Sequence, residues 1–160
     1  VFSQFIGMLD LCEEAIKQKG YKFERFDGAM SATERNDAIT RFRENPRITV
    51  LLVSLKCGSL GLNLTCANHV ILLDAWWNPA VENQAIDRVH RYGQRKEVTV
   101  HRITIAETVE DRILALQEKK QEMINSALGE GPIKLKKGPS ARLTVDDLRS
   151  LFNSHETEDD

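Results

Sequence analysis

The sequence predicts an α/β domain built on a mainly parallel sheet with helices on both faces. Segments with strand-like and helix-like spacing alternate along the chain, and this alternation is typical of parallel strands joined by helices. Two runs, 48–53 and 69–73, are rich in Val, Ile and Leu and have strand length, as strands buried on both faces do. Helix start signals precede several of the intervening segments. The chain has 160 residues, enough for one domain with its own core.

The first half of the chain carries signals for two helices. Apolar residues recur at helical spacing from Phe5 to Ile16, and Gly20 ends that helix. Ser31 and Glu34 have the spacing of a capping box, so the second helix is predicted to begin there. The predicted strands of this half are the end of one at 1–2, then 21–26 and 48–53.

The second half continues the alternation. Asn78 and Pro79 begin a helix, with the cap and the proline in the preferred order. Thr108 and Asp111 predict another capping box, at the start of a long helix that reaches about Leu128. The predicted strands of this half are 69–73 and 97–104.

Three segments are predicted along the chain. Residues 1–128 form one lobe, whose last helix spans about 107–128. Residues 129–142 are rich in Gly, Pro and Lys and are predicted to be a linker. Residues 143–160 are predicted to form a short helix followed by an acidic, disordered end. Because the chain starts within a predicted strand and lacks an initiator Met, we expect it to be a piece of a longer protein.

Composition narrows the classes of function. Hydrophobic residues make up 41% and charged residues 29%, as in ordinary globular proteins. The net charge is -2, so any contact with DNA must come from a local patch. The three cysteines form no CxxC pair and the four histidines are scattered, so no metal site is predicted and a reducing compartment is favoured. No apolar run has the length of a membrane span, so no membrane partner is expected.

The helix that follows residue 79 carries the most informative side chains. Gln84, Arg88 and Arg91 are four and three positions apart, so the helix is predicted to present them on one face that looks out of the domain. Arginine offers a planar fork of donors that suits phosphate oxygens, and it stays charged. In phosphoryl transfer such an arginine stabilises the charge of the transition state. The alternative is an ordinary solvated face.

The run 84–94 closely resembles motif six of the Swi/Snf-related ATPases, within helicase superfamily two. The resemblance extends from residue 1 to about 124 and implies a RecA-like three-layer lobe, the carboxyl-terminal one of two. It also implies that the helix at about 107–128 is a bracing helix. The group most resembled is the fungal repair-linked group that includes the helicase-like transcription factor relatives. Further motifs match in the family's order at 1–5, 26–31 with Arg35, 54–65 and 74–79.

The resemblance implies roles for individual residues. Arg88 and Arg91 match the family's two motif-six arginines, which reach the nucleotide phosphates and act in catalysis. Gln84 and Asp87 match positions that order this cluster, and Gly61 belongs to the segment that links DNA with the ATP site. The residues that match positions at or near DNA are Ser3, Gln4, Ser31, Arg35, Ser54, Lys56, Gly58, Asn63 and Trp77.

Several of these positions keep a structural alternative. Ser31 is at least as well explained as a helix cap. Gly58 and Gly61 allow backbone N–H groups to approach a phosphate, but two glycines also suit an ordinary turn. Lys56 is either a phosphate contact or a solvated charge.

The adjacent tryptophans are assigned different roles. Trp76 is expected in the core, while Trp77 matches the family's signature tryptophan at the DNA-facing edge, with a core position as its alternative. Residues 118–120 are expected on a solvated helix face. Cys57 and Ser59 depart from the small residues more usual in the family, and a catalytic thiol at Cys57 lacks an obvious base.

The sequence contains neither a Gly-Lys-Ser/Thr phosphate loop nor an Asp-Glu-x-His box. In the family both belong to the amino-terminal lobe of the same polypeptide, which would bind Mg²⁺ and most of the ATP. The isolated chain is therefore expected to be inactive. The resemblance implies a nuclear DNA-dependent ATPase that translocates on double-stranded DNA and remodels nucleosomes or other DNA-bound proteins, or acts in DNA repair. The alternative is a RecA-like docking or DNA-binding module that has lost catalysis.

Overall fold

Strands and helices alternate in the computed structural model, which describes residues 1–57, 61–129 and 143–152. A short 3-10 turn, Leu55–Cys57, follows the third strand. Each predicted strand is present, with ends within two residues of the prediction. The elements in chain order are β1 (Phe2–Ser3), α1 (Ile6–Gln18), β2 (Lys22–Phe26), α2 (Ala32–Glu44), β3 (Ile48–Ser54), β4 (His69–Leu72), α3 (Pro79–Val89), β5 (Thr99–Arg102), α4 (Val109–Gly129) and α5 (Val145–Phe152).

The described residues fall into two compact units. The first comprises Val1–Asp74 and Ala80–Ile103 and contains the sheet with α1, α2 and most of α3. The second comprises Ala75–Pro79 and the residues from Thr104 onward, with α4 and α5. The predicted linker, apart from its first residue at the end of α4, and the predicted acidic end lie outside the described residues. The predicted segment boundaries therefore stay predictions.

The sheet of the first unit is wholly parallel. Its strand order is β2-β3-β1-β4-β5. The short strand β1 is central, since Phe2 is paired with Val53 of β3 on one side and with Leu72 of β4 on the other. This arrangement confirms the predicted α/β class with a parallel sheet.

Apolar side chains of β3 explain how both faces of the sheet are covered. Successive side chains of a strand point to opposite faces. Val53 belongs to a buried cluster with Ala85 and Val89 of α3. Leu52, the next residue back, points to the other face, which α1 covers with the fully buried Leu9. Full burial of one such side chain stabilises the fold by about 1.5–3 kcal/mol.

A cavity of about 500 Å³ lies at the end of the sheet where the strands begin. Its lining includes Ile48 at the start of β3, His69 at the start of β4, and Phe42 of α2. Its lining also includes Leu64, Ala67 and Val89, so the cavity reaches the end of α3.

Local signals for two helix ends are confirmed. Gly20 adopts a φ of 77°, a left-handed conformation that glycine tolerates, and its N–H donates to the carbonyl of Lys17 at 3.0 Å. At the start of α2, the Ser31 hydroxyl accepts from the Glu34 N–H at 3.3 Å, and the Glu34 carboxylate accepts from the Ser31 N–H at 2.7 Å. This reciprocal pair is the predicted capping box.

The capping box predicted at Thr108 and Asp111 is wrong in detail. The Asp111 carboxylate accepts from the N–H of Glu107, and the Thr108 hydroxyl accepts from the N–H of Glu110 at 3.2 Å. Glu107 has a φ of 62°, and this left-handed residue shifts the bonding pattern by one position.

The buried Leu9 offers a test of the packing of α1. Leu9→Ala should lower the free energy of unfolding by about 2–5 kcal/mol, because it leaves a cavity beneath α1. Leu11→Ala is the matched control on the same helix, since Leu11 is 64% exposed and its loss should change stability by less than about 0.5 kcal/mol. Urea unfolding of both variants gives the comparison. Equal losses would show that α1 does not pack as described.

Candidate functional site

The predicted site residues of the first unit follow the carboxyl ends of its strands. Parallel strands all end at one edge of a sheet, and ligands of open α/β sheets bind at that edge. Ser3 at the end of β1 is paired with Ser54 at the end of β3. The segment with Ser31 and Arg35 follows β2 along the chain. The structure thus brings these predicted residues to one side of the sheet.

Asp74, which follows β4, ties two strand ends together. Its carboxylate accepts a short hydrogen bond from the Ser3 hydroxyl and another from the N–H of Gln4 at 2.9 Å. Ser3 is fully buried and Gln4 is 5% exposed. The Ser3 side chain has no surface that DNA could reach in this structure, and the DNA contacts of these two residues stay a prediction. Their bonds to Asp74 hold the ends of β1 and β4 together.

The segment after β3 also mixes buried and exposed residues. Ser54 is 1% exposed, so its hydroxyl is not available to DNA in this structure, whereas Lys56 is exposed. The Cys57 thiol is buried in the core cluster, which gives no support to a nucleophilic role. Gly58 lies outside the described residues. Beyond the gap, Gly61 and Asn63 are exposed, and the Asn63 side-chain oxygen accepts from the Thr65 N–H at 3.2 Å.

Arg25 organises the loop between β2 and α2. Its guanidinium lies 2.6 Å from Asp10, 2.9 Å from Glu13 and 2.6 Å from Asp27. Asp27 in turn accepts from the N–H of Ala29 at 2.9 Å. Burial raises the pKa of Asp27, but its hydrogen bonds to Arg25 and to the backbone outweigh this, so the pKa lies below its usual value. The loop that precedes α2 is therefore held in one shape.

Ser31 and Arg35 are both engaged within their own helix start. The Ser31 hydroxyl serves as the helix cap, which supports the structural alternative for this residue. The half-buried Arg35 donates to the Ser31 carbonyl at 3.4 Å and lies 5.9 Å from the ring centre of Phe26. Both groups are thus oriented by the protein before any ligand binds.

The helix α3 ends earlier than the predicted arginine face requires. Gln84, Asp87 and Arg88 lie on α3, but the helix ends at Val89, and Arg91 lies in the bend beyond it. The prediction that Gln84, Arg88 and Arg91 share one helical face is therefore wrong for Arg91. It holds for Gln84 and Arg88, which are four positions apart on α3. Gln84, Asp87 and Arg91 are exposed, and Arg88 is half-buried.

Tertiary hydrogen bonds end α3 at this point. The carbonyl of Arg88 accepts from the N–H of Leu64 at 2.9 Å, and the carbonyl of Val89 accepts from the Gln94 amide at 3.1 Å. The same amide donates to the carbonyl of Ala67 at 2.8 Å. Because these helix carbonyls accept hydrogen bonds from groups outside the helix, they do not need the N–H groups of a further helical turn. Nothing in the helical spacing of the sequence signals these partners.

Gln94 uses both ends of its side chain. Its oxygen accepts from the N–H groups of Arg95 and Lys96, both at 2.9 Å, while its nitrogen holds the end of α3. Gly93 adopts a φ of 98°, which allows the chain to turn back so that this can occur. Gln94 and Asp74 are thus residues of the site that the sequence reading missed as individuals, although both lie within recognised motifs.

Glu82 in the first turn of α3 is a further residue that sequence reasoning missed. It is 1% exposed, and its carboxylate accepts from Nε of Arg102 on β5 at 2.9 Å. A buried carboxylate of this kind is retained only with a close partner. The pair joins α3 to the edge strand of the sheet.

The two tryptophans belong to the second unit. Trp76 and Trp77 are both half-buried, with ring centres 6.0 Å apart, so the expected division into core and edge is not seen. The backbone carbonyl of Trp76 accepts a short hydrogen bond from Gln117 of α4. Nζ of Lys120 lies 4.6 Å from the centre of the Trp77 ring. Lys120 is only 9% exposed, which corrects the expectation that it lies on a solvated face.

Helix α5 packs on α4 within the same unit. Asp147 forms a reciprocal capping box with Thr144, with N···O distances of 2.9 and 3.1 Å, and its carboxylate lies 3.3 Å from Lys120. Hydrogen bonds from Thr144, with a contribution from Lys120, lower the pKa of Asp147. At the other end of α5, Arg112 donates to the carbonyl of Leu151 at 3.0 Å. The reciprocal pair that was predicted at Thr108 and Asp111 is thus found at Thr144 and Asp147.

In the part of the chain that the structure describes, no group of three or more His, Cys, Asp or Glu is arranged so that it could hold a metal ion. Among these same residues, no helix has both the length and the apolar character needed to cross a membrane.

Comparison with known proteins gives consistent results. A family model described as helicase conserved C-terminal domain matches residues 1–93. Helicase-like transcription factor CHR27 of Arabidopsis thaliana is 57% identical over 153 residues, which is 95% of this chain and 14% of that protein. DNA repair protein rad8 of Schizosaccharomyces pombe is 43% identical over 152 residues, covering 95% of this chain and 13% of that protein.

A solved structure, described as the C-terminal part of the Fun30 ATPase domain, has a TM-score of 0.71 and 39% identity. It covers 72% of this chain, and the match covers 38% of that chain. The RecA-like fold and the resemblance to Swi/Snf-related proteins of the repair-linked and helicase-like transcription factor group are thereby confirmed. The chain spans only about one seventh of the length of the curated relatives.

Gln94 provides a test of how the end of α3 is fixed. Gln94→Glu should lower the free energy of unfolding by about 1–3 kcal/mol, since a carboxylate cannot donate to the carbonyls of Ala67 and Val89. Gln84→Glu is the control, because Gln84 is exposed and the same exchange there should have an effect below about 0.5 kcal/mol. Urea unfolding measures both. A loss for Gln94→Glu no larger than that of the control would contradict the described role.

Proposed function

Because the chain belongs to the helicase conserved C-terminal domain family, we propose that it is the carboxyl-terminal motor lobe of an ATP-dependent double-stranded DNA translocase. In this proposal the lobe supplies arginines to a nucleotide that is held mainly by an amino-terminal lobe of the same polypeptide. The parent protein would remodel nucleosomes or other DNA-bound proteins, or act in DNA repair, in the nucleus.

The geometry at the end of α3 carries this proposal. Arg88 lies half-buried in the last turn of the helix, and Arg91 is exposed two residues beyond its end. The bend between them is fixed by the hydrogen bonds of Gln94 and Leu64. Cations that are oriented before the reaction stabilise developing charge without a reorganisation cost at that moment. The exposure of Arg91 beside this fixed bend supports the proposal that its guanidinium meets a phosphate that another lobe presents.

The residues at hand suit the phosphate part of ATP better than they suit Mg²⁺. Arginine donors match phosphate oxygens in geometry and charge. Gln84 and Asp87, exposed on α3, are proposed to order the arginines, and the exposed Gly61 is proposed to lie near the nucleotide. Mg²⁺ prefers carboxylate and water oxygens around an octahedral site. We assign its ligands, with most of the ATP contacts, to the amino-terminal lobe.

The proposed DNA contacts divide by exposure. Lys56, Asn63 and Arg35 retain accessible surface and are proposed to meet the sugar-phosphate backbone, which positions the protein without reading base sequence. The buried Ser3 and Ser54 are proposed to act indirectly, by shaping the loops that carry these contacts. Trp77 is proposed to couple DNA binding with ATP turnover.

The isolated chain should show no DNA-stimulated ATPase activity. It lacks a phosphate loop and an acidic box, so the proposed chemistry needs a second lobe. Phosphate release should equal that of buffer, with or without double-stranded DNA, while circular dichroism verifies that the chain is folded. Robust turnover by the folded chain would overturn the proposal.

Arg91→Ala, in a protein that contains both lobes, should lower the maximal ATPase rate on the order of 10³-fold and change ATP affinity little. An arginine that meets the phosphate mainly in the reacting state contributes to turnover more than to ground-state binding. Arg91→Lys should restore little activity, because a point charge cannot reproduce the bidentate fork. DNA affinity should stay nearly unchanged.

The matched control for Arg91 is Arg95→Ala, since Arg95 is an exposed arginine four residues further along. It should leave turnover close to that of the unmodified protein. Steady-state kinetics and nucleotide titration distinguish the variants. If Arg91→Ala and Arg95→Ala lowered turnover equally, or if the effect of Arg91→Ala were confined to DNA binding, the finger role would be refuted. A docking module without catalysis would then be favoured.

A further inference from the structure

Lys120 is a buried cation in the second unit. Lys120 is 9% exposed, and a buried ammonium group is stabilised only by close partners. Lys120 has two of them: the Trp77 ring, 4.6 Å away, and the Asp147 carboxylate, 3.3 Å away. Cation–π contacts become stronger as they are desolvated. The Lys120 ammonium therefore fixes the ring and the carboxylate on either side of itself.

Helix α4 contacts both the tryptophan segment and α5. Arg112, Leu116 and Lys120 are four positions apart in turn, so they lie along one side of α4. Arg112 donates a hydrogen bond at the carboxyl end of α5, and Lys120 forms an ion pair at its amino end, so the two helices are antiparallel. Gln117 of α4 binds the backbone of Trp76. The Trp77 ring and the start of α5 are thus linked through one lysine.

Asp147 is well suited to hold Lys120 in place. It sits in the first turn of α5, and its capping box with Thr144 fixes the carboxylate to the helix start. The neighbouring Asp146 has a side chain that is 90% exposed and makes only a surface pair with Arg149 at 3.5 Å. Of the two adjacent acids, only Asp147 reaches the buried lysine.

We propose that Lys120 and Asp147 are positioning residues that orient Trp77 for coupling between DNA and ATP turnover. Helix α5 is then a working part of the motor lobe, because it determines where the lysine lies and hence how the indole ring is presented. This inference rests on the proposed role of Trp77. A purely packing role for the lysine would need no charge, and a buried ion pair is often no more stabilising than apolar residues of similar volume.

The test uses a protein with both lobes and compares two pairs of variants. Lys120→Met keeps the apolar stem and removes the charge, and Lys119→Met does the same at the adjacent exposed lysine. Asp147→Asn removes the ion pair and keeps an oxygen for the helix cap, and Asp146→Asn is its control. The ratio of DNA-stimulated to basal ATP turnover should fall by about five-fold or more in Lys120→Met and Asp147→Asn, and stay unchanged in the controls.

A second readout separates orientation from general stability. Trp76 and Trp77 are the two tryptophans of this chain, so in a Trp76→Phe background the chain reports on the Trp77 ring alone. The emission and the acrylamide quenching of Trp77 should change in Lys120→Met and in Asp147→Asn, and not in the two controls. A drop in thermal stability with an unchanged turnover ratio and unchanged Trp77 emission would overturn the inference and leave a structural pair.

Trp77→Ala separates failure of this inference from failure of the proposed function. If Trp77→Ala leaves DNA stimulation intact, the proposed coupling role of Trp77 is wrong and the inference falls with it. If Trp77→Ala abolishes stimulation while Lys120→Met and Asp147→Asn retain it, only the positioning role is refuted. Should Lys120→Met fail to fold, Asp147→Asn gives the same test without a new apolar group in the interior.

Discussion

The carboxylate of Asp74 accepts hydrogen bonds from the Ser3 hydroxyl and the Gln4 N–H. The candidate site at the carboxyl ends of the strands depends on these bonds. They join the end of the central strand to the end of its neighbour in a region without solvent. A buried carboxylate is tolerated only when such donors satisfy it, so both strand ends must keep one relative position. The exposed groups on the same edge, among them Lys56, are therefore carried on a fixed frame.

A second constraint acts where α3 ends. The proposed chemistry needs Arg88 and Arg91 close together but in different surroundings, one half-buried and one exposed. A continued helix would have placed both on one face. The Gln94 side chain instead donates to the carbonyl of Val89 and accepts from two backbone N–H groups. These bonds of a neutral amide replace a further helical turn with a rigid bend. The hydrogen bonds of Gln94 thus fix the backbone between the two arginines.

The second unit uses charge in its interior for a similar purpose. Lys120 lies between the Trp77 ring and Asp147, and either partner alone would leave the ammonium poorly compensated. Buried apolar side chains of this unit, such as Leu116 and Leu151, stabilise it without fixing the orientation of a ring. Lys120 can also fix the orientation of the indole ring, since its ion pair with Asp147 determines where the ammonium lies relative to that ring.

Local patterns of the sequence determined the class of fold, the strands and the start of most helices, because alternation, apolar runs and the Ser31 cap depend on neighbours in the chain. The family was also determined by the sequence, because each motif is a run of neighbouring residues and the motifs follow one another in the family's order. The end of α3, the burial of Ser3 and the burial of Lys120 were decided by tertiary structure alone. Each depends on a partner distant in sequence, such as Asp74 for Ser3 or Asp147 for Lys120, and no local spacing encodes which distant group will satisfy a buried donor or charge.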